Sequence, residues 1–344
     1  MRKLQYVILF VFILGIPLMV KSQGCMESGS DEGVTVAGFF QPQYEYIQHE
    51  GADNESTFTF ERARFGFLGS IPYDVSYYAF IETSAFKSDN PFLLDAFITY
   101  SRFKNARISI GQFKSPISLE LNTPCHKLHT IKRSRVVTDL ASPDRVMGLM
   151  VSGGGDSTLF KYSVGLLNGT GIGTTDDNTK KDIAARLVVQ PFSFLSFGGS
   201  FKYGESKPIS DTLDDDKTTR IGGEIQFKYN NWLVQGEYIM GSDDGSYTTG
   251  SACNPPIVTH IGEVNRNGYF IMAMYMTPWN IQPVIKYESY EPDTDTKYDQ
   301  MTVLTFGINY FLNDWTRIQV NYLYSAEEFE IDNDQLLVQV QVNF

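Results

Sequence analysis

This 344-residue chain has no long apolar run beyond its first twenty residues. A helix needs about 20 consecutive apolar residues to cross a bilayer, so a helical membrane protein is excluded. A barrel is not, because its strands hide their apolarity in alternation. Cysteine is scarce: Cys25, Cys125 and Cys253 are the whole complement. Three thiols exclude a disulfide-dense scaffold and leave at least one unpaired in a monomer. A bridge from Cys125 to Cys253, between two long loops, stays open. Basic charge is in deficit, with a formal net charge of −12. That balance argues against nucleic acid as a partner and against simple attachment to anionic lipid. The signatures G-x-S-x-G, Walker loop and H-E-x-x-H are all missing, and "GTGIGTT" (169–175) opens no helix that would cradle a phosphate. Neither an enzyme nor a cofactor is expected. Histidine is limited to His49, His126, His129 and His260. His49 and His260, both in long polar loops, are the candidates for the alternative of a barrel-borne hydrolase.

What is present begins with a leader. Arg2 and Lys3 precede an apolar run from Tyr6 to Val20, and Val20 and Ser22 supply the small-residue cleavage site, so residues 1–22 read as a signal peptide and the mature chain as 23–344. Lipidation at Cys25 fits less well, because Ser22 and Gln23 are poor matches for the residues such a site needs. Export removes three basic side chains and no acid, which makes the mature chain still more acidic.

Strict alternation follows from about Gly33 onward. "LLVQVQVNF" sets Leu336, Val338, Val340, Val342 and Phe344 against Gln339, Gln341 and Asn343, and "TRIGGEIQFKY" sets Ile221, Ile225 and Phe227 against Arg220, Glu224 and Gln226. These are period-two strands. Sixteen such segments are predicted, joined by connections that alternate between short ("PYD", "NN", "TP") and long polar ones, seven against eight. A sandwich rarely alternates its connections so regularly, and a propeller would show an internal repeat. The pattern is that of an up-and-down barrel with both strand termini on the short-turn side. Trp232, Trp279 and Trp315 all sit at short connections, as residues of one membrane boundary would. The fold class is therefore all-β: a 16-stranded antiparallel transmembrane β-barrel in contact with outer-membrane lipid, apolar face to lipid and polar face to a water-filled lumen on every strand.

One passage breaks the acidic trend. "PCHKLHTIKRSRVV" (124–137) lies in a stretch, Leu121 to Thr138, that holds Lys127, Lys132, Arg133 and Arg135 and no carboxylate. Cys125, His126 and His129 offer at most three metal ligands among cations that oppose a dication, so no metal site is expected. The passage belongs to a connection of about thirty residues, roughly 114–144, with its own apolar side chains at Leu128, Ile131, Val136, Val137 and Leu140. A loop of that size with packing residues is usually functional. In a wide barrel it folds inward and narrows the lumen.

"FTFERARFGFLGSI" (58–71), "FLLDAFITY" with "ARISIGQFKSPISLE" (92–120), "SPDRVMGLMVSG" (142–153) and the terminal "LLVQVQVNF" together resemble the phosphate-selective porin family of outer membranes. The resemblance implies a homotrimer of sixteen-stranded barrels in the outer membrane of a Gram-negative bacterium, with inward loops whose cations bind phosphate or other small anions. Carried across, the anion-selective constriction falls on Lys114, Lys127, Lys132, Arg133 and Arg135, with Arg145 closing the loop. Arg62 and Arg64 continue the track along the wall, as does Arg107 if it faces inward. Rings of cations select anions by raising their local concentration and replacing part of their hydration. The function expected is passive diffusion of small hydrophilic solutes, preferentially anions, with a non-selective small-solute porin as the alternative. Lumenal acids at Glu61, Glu224, Glu237 and Glu288 favour the broader specificity. The remaining acids are expected mainly on the outer rim, with His126 and His129 as extra cations at low pH.

Overall fold

The computed structural model describes residues 33–344 except 85–91, 156–157, 209–214, 252–253, 261 and 327–330. The expected signal peptide and Cys253 lie outside the described residues. Alternating segments form β1 (Thr35–Ile47), β2 (Glu55–Ile71), β3 (Val75–Glu82), β4 (Phe92–Phe103), β5 (Ala106–Lys114) and β6 (Arg145–Gly153). They continue as β7 (Phe160–Leu167), β8 (Asp182–Phe192), β9 (Leu195–Ser206), β10 (Asp216–Tyr229), β11 (Trp232–Asp244), β12 (Ser246–Ser251) and β13 (Asn254–His260). The last five are β14 (Val264–Tyr275), β15 (Ile281–Glu291), β16 (Met301–Phe311), β17 (Thr316–Ala326) and β18 (Gln335–Asn343).

Sixteen of these strands close into one antiparallel barrel, and β12 with β13 forms a separate two-stranded sheet between β11 and β14. That extra hairpin occupies the long polar connection after β11, which the alternation of the sequence does not predict as strand. "SYTTGS" and "NPPIVTH" carry the β-branched residues of strands but no lasting alternation, because neither serves a wall with one wet face. The barrel closes where β1 meets β18, from Phe39 opposite Asn343 to Ile47 opposite Gln335. At this seam the Gly38 amide donates to the Phe344 carbonyl at 2.9 Å and the Phe344 amide donates back at 3.0 Å. A Cβ on Gly38 would stand 2.6 Å from the Phe344 ring and from the Arg64 carbonyl, so only glycine lets the strand end seat there.

Alternation sorts the two faces as expected on most strands. Ile221, Ile225 and Phe227 of β10 and Val340 and Val342 of β18 are exposed on the outside, whereas Arg220, Gln339 and Gln341 are buried on the inside. Trp232, Trp279 and Trp315 are all exposed beside the short connections. Strand β14 departs from the rule. Its inward side chains include Phe270, Met272 and Met274, all buried, so the lumenal face is not polar on every strand. Those apolar side chains exist to receive the long loop. With Ile239 and Val284 of the neighbouring strands they enclose Leu121, Val136, Val137 and Leu140 in one apolar core inside the barrel. At about 1.5–3 kcal/mol for each buried aliphatic side chain, those four loop residues contribute on the order of 10 kcal/mol of gross burial.

Candidate functional site: a lumenal loop between two vestibules

The loop between β5 and β6 starts one residue later than the sequence suggested, since Lys114 is still the last residue of β5. It contains two short helices, Leu119–Asn122 and Arg135–Leu140. Its anchors span the barrel. Ser118 takes a left-handed backbone, φ 66°, and its hydroxyl accepts from the Leu121 amide while donating to Glu237 of β11 at 3.0 Å. The same Glu237 carboxylate accepts the amides of Leu119 at 3.1 Å and Glu120 at 3.2 Å. Further round the wall, Asn321 of β17 accepts the Ile131 amide at 2.7 Å and Asn309 of β16 donates to the His129 carbonyl at 2.9 Å. Gln341 of β18 donates to the His126 carbonyl at 3.1 Å, and Arg220 of β10 donates to the Leu140 carbonyl at 3.0 Å. The loop thus lies inside the barrel, tied to strands far from its own ends. Sequence reasoning marked Glu237 as lumenal but missed it as a helix cap, and it missed the amides of Asn309, Asn321 and Gln341. Their only signal is a side chain that can both donate and accept on the wet face of a strand.

The expected cations divide into two groups. Arg62, Arg64 and Arg145 are buried and committed to carboxylates: Arg62 to Glu61 at 3.1 Å, Arg64 to Glu82 at 2.7 Å, and Arg145 to Asp95 at 3.1 Å and Asp144 at 2.9 Å. Glu61 and Arg62 both point inward although they are adjacent, because the register of β1 against β2 slips between Gln41 and Pro42. A bulge re-aims one side chain in this way. Lys114 donates to the carbonyls of Leu121 at 2.8 Å and Thr123 at 3.1 Å, and Lys132 donates to Gln335 at 3.0 Å. Arg133 reaches the Glu120 carbonyl at 3.3 Å and the Cys125 sulfur at 3.3 Å. Arg135 bonds Asp139 at 2.7 Å with its side chain half exposed, and Lys127 is exposed. Glu61 was expected in the lumen, and Glu82, Asp95 and Asp144 join it inside the barrel to pair buried guanidinium groups.

Cys125, His126 and His129 do not converge, and no metal-holding cluster occurs among the described residues. The Cys125 sulfur is free and accepts from Arg64 at 3.0 Å as well as from Arg133. Burial opposes its ionisation, yet Arg133, Arg64, Arg62 and Lys114 hold its pKa well below the ordinary thiol range. His129 is half-buried against Gln282, 3.2 Å from its Nδ1, and desolvation pushes its pKa down to about 4. Burial, with Lys127 beside it, lowers His126 as well. Both shifts oppose the extra positive charge that the two rings were expected to supply at low pH. Of the two histidines outside the loop, His49 lies 3.8 Å from Glu55 in an exposed turn and His260 ends β13.

Two cavities flank the loop. Toward the long connections lies one of about 490 Å³, lined by Arg62, Lys132, Arg133 and Arg135 but also by Glu45, Glu61, Asp144 and Glu288. Its charges balance. Toward the short turns lies one of about 450 Å³, lined by Arg64, Arg107, Lys114, Arg145, Lys161 and Arg186. Among the described residues that line it, Asp95 is the one carboxylate. Arg107 does face this lumen and bonds the Gly154 carbonyl at 3.3 Å, while Arg186 is held by Glu224 at 2.8 Å. The positive excess is therefore on the short-turn side. Sequence reading placed it in the loop itself, because it could not see which loop cations the wall acids would neutralise.

The sequence model of the family described as phosphate-selective porin O and P matches residues 34–212. No curated protein matches. Among solved structures, the fold is similar to an anion-selective porin from Comamonas acidovorans, with TM-score 0.69 and 13% identity over 91% of this chain and 100% of that one. It is also similar to OmpF of Salmonella typhi in complex with daunomycin (TM-score 0.67, 11% identity, 90% and 97% covered). The outer membrane channel DcaP of Acinetobacter baumannii is a third likeness (TM-score 0.66, 14% identity, 93% and 99% covered). At such identities the likeness is one of fold.

Proposed function

The chain belongs to the phosphate-selective porin O and P family, an outer-membrane porin of a Gram-negative bacterium, and from that premise we propose how it selects its solutes. Small hydrophilic solutes cross by passive diffusion, anions such as phosphate in preference, through a lumen narrowed by the loop 115–144. The observation that carries this reading is the short-turn vestibule, which six cations line and where a positive excess remains after Glu82, Asp95, Asp144 and Glu224 pair Arg64, Arg145 and Arg186. A water-filled cleft of one charge sign raises the local concentration of counter-ions. Lys114, Lys127, Lys132 and Arg133 are the loop-region cations placed to meet a solute. Arg62, Arg64 and Arg145 act as fixed charges behind their carboxylates. Residues 1–22 are the export signal and 23–344 the working barrel, three copies of which assemble.

The reading is tested by chloride current through the purified protein in a planar bilayer, titrated with phosphate. Block at low phosphate reports an anion site in the pore, and current indifferent to phosphate counts against one. A second reading, a small-solute porin without anion preference, is favoured by the balanced charges of the long-loop cavity. The family match supports a channel rather than the barrel-borne hydrolase, and loss of a hydrolytic activity on His260→Ala would favour the enzyme instead.

A further inference from the structure

Inorganic anions need charge from a pore wall and nothing else, yet the short-turn vestibule also presents an aromatic wall. Tyr78 stacks on Phe80 at a ring separation of 4.9 Å and an interplanar angle of 7°. It stacks on Phe97 at 5.2 Å and 25°, and Phe97 meets Phe113 edge-on at 6.2 Å. Phe80 and Phe113 are buried, which packing against the loop explains: Phe80 shares a cluster with Cys125 and Leu128, and Phe113 belongs to the central core. Tyr78 packs on the first of these clusters and Phe97 on the second, yet both stay half-buried and line the cavity together with Arg107, Lys114 and Lys161. A volume of about 450 Å³ falls in the range of small-molecule sites, roughly 300–1,000 Å³.

We propose that this vestibule is a subsite for anions that carry an aromatic ring, of the aryl phosphate or aryl carboxylate class, in preference to bare inorganic anions. The inference deepens the porin reading and rests on it. The ring of such a solute stacks on the exposed parts of Tyr78 and Phe97, while its anionic group lies among Arg107, Lys114 and Lys161. Aromatic pairs gain free energy beyond the area they bury. A bare phosphate has no apolar surface to offer that wall and stays hydrated beside it. Arg107 suits the head group in particular, because its guanidinium holds no carboxylate partner among the described residues and can present two donors to one anion.

The test compares three probes as blockers of chloride current in planar bilayers, each added to both sides: phenyl phosphate, methyl phosphate and inorganic phosphate. Phenyl and methyl phosphate carry the same head group, so their ratio isolates the ring. Phenyl phosphate is expected to half-block at a concentration about threefold to tenfold below that of methyl phosphate, the value of one aromatic contact. Tyr78→Leu and Phe97→Leu are each expected to bring that ratio toward one. Equal half-blocking concentrations in the wild-type protein, or a ratio preserved in both variants, would overturn the subsite. If one variant does not assemble, the wild-type ratio and the other variant still decide. Cation-selective current would instead overturn the anion reading beneath it, whereas an anion-selective pore with equal block overturns the aromatic subsite alone.

Discussion

Reversing the charge of Arg107 probes the vestibule field with little risk to the fold, since the side chain is exposed and bonds only the Gly154 carbonyl. An anion passing about 6 Å from a unit charge in water gains about 0.7 kcal/mol, so Arg107→Glu removes about 1.4 kcal/mol before screening. At 0.1 M salt the Debye length of about 10 Å leaves roughly 0.8 kcal/mol, about a fourfold loss of anion partitioning. Cations gain by the same factor, so the anion-to-cation permeability ratio falls about fifteenfold. At 1 M salt the screening length drops to about 3 Å and the same substitution changes the ratio only about twofold. Reversal potentials under a salt gradient, at both concentrations, read these ratios directly. An unchanged ratio at 0.1 M, or a change equally large at 1 M, would show that the short-turn vestibule does not set selectivity.

Further expectations follow from the loop and its anchors. Glu237→Ala strips acceptors from the Ser118 hydroxyl and from the Leu119 and Glu120 amides; at about 0.5–1.5 kcal/mol for each hydrogen bond, the loop end should loosen, raising single-channel conductance and speeding proteolysis within 115–144, and unaltered values for both would refute the anchor. His129 ionises in the folded protein only near pH 4, against about 6.5 in an unfolded chain. Because the folded value is the lower one, stability is lost as pH falls from about 6.5 toward 4, at up to about 1.4 kcal/mol per pH unit, and His129→Gln should flatten the thermal-melting profile over that window. For the same reason anion selectivity should stay level between pH 8 and pH 5.5, and a steep rise would restore the histidines as selectivity charges. Gly38→Val places methyl groups against the Phe344 ring and the Arg64 carbonyl, so the heat-resistant folded band on a gel should be lost.

The barrel was legible because membrane and lumen impose one rule on every strand: Ile221 and Ile225 outside, Arg220 inside. That rule needs no knowledge of distant contacts, and connection lengths supplied the strand count. What stayed hidden depends on which residues meet across the lumen. Nothing local in "MAMY" says that Met272 and Met274 face inward to receive Val136, Val137 and Leu140. Nothing in "KRSRVV" says that its charges face Glu61 and Glu288 across a shared cavity, or that Cys125 is bonded to Arg64 from a strand sixty-one residues away. Arg107, Lys161 and Arg186 lie on three different strands, and barrel closure alone gathers them.

The central claim, a pore that favours anions, is most directly tested by the zero-current potential of the wild-type protein across a tenfold KCl gradient. The potential should settle toward the chloride equilibrium potential, and further toward it at low salt than at high. A potential that settles toward the potassium equilibrium potential, or stays at zero at every salt concentration, would contradict it.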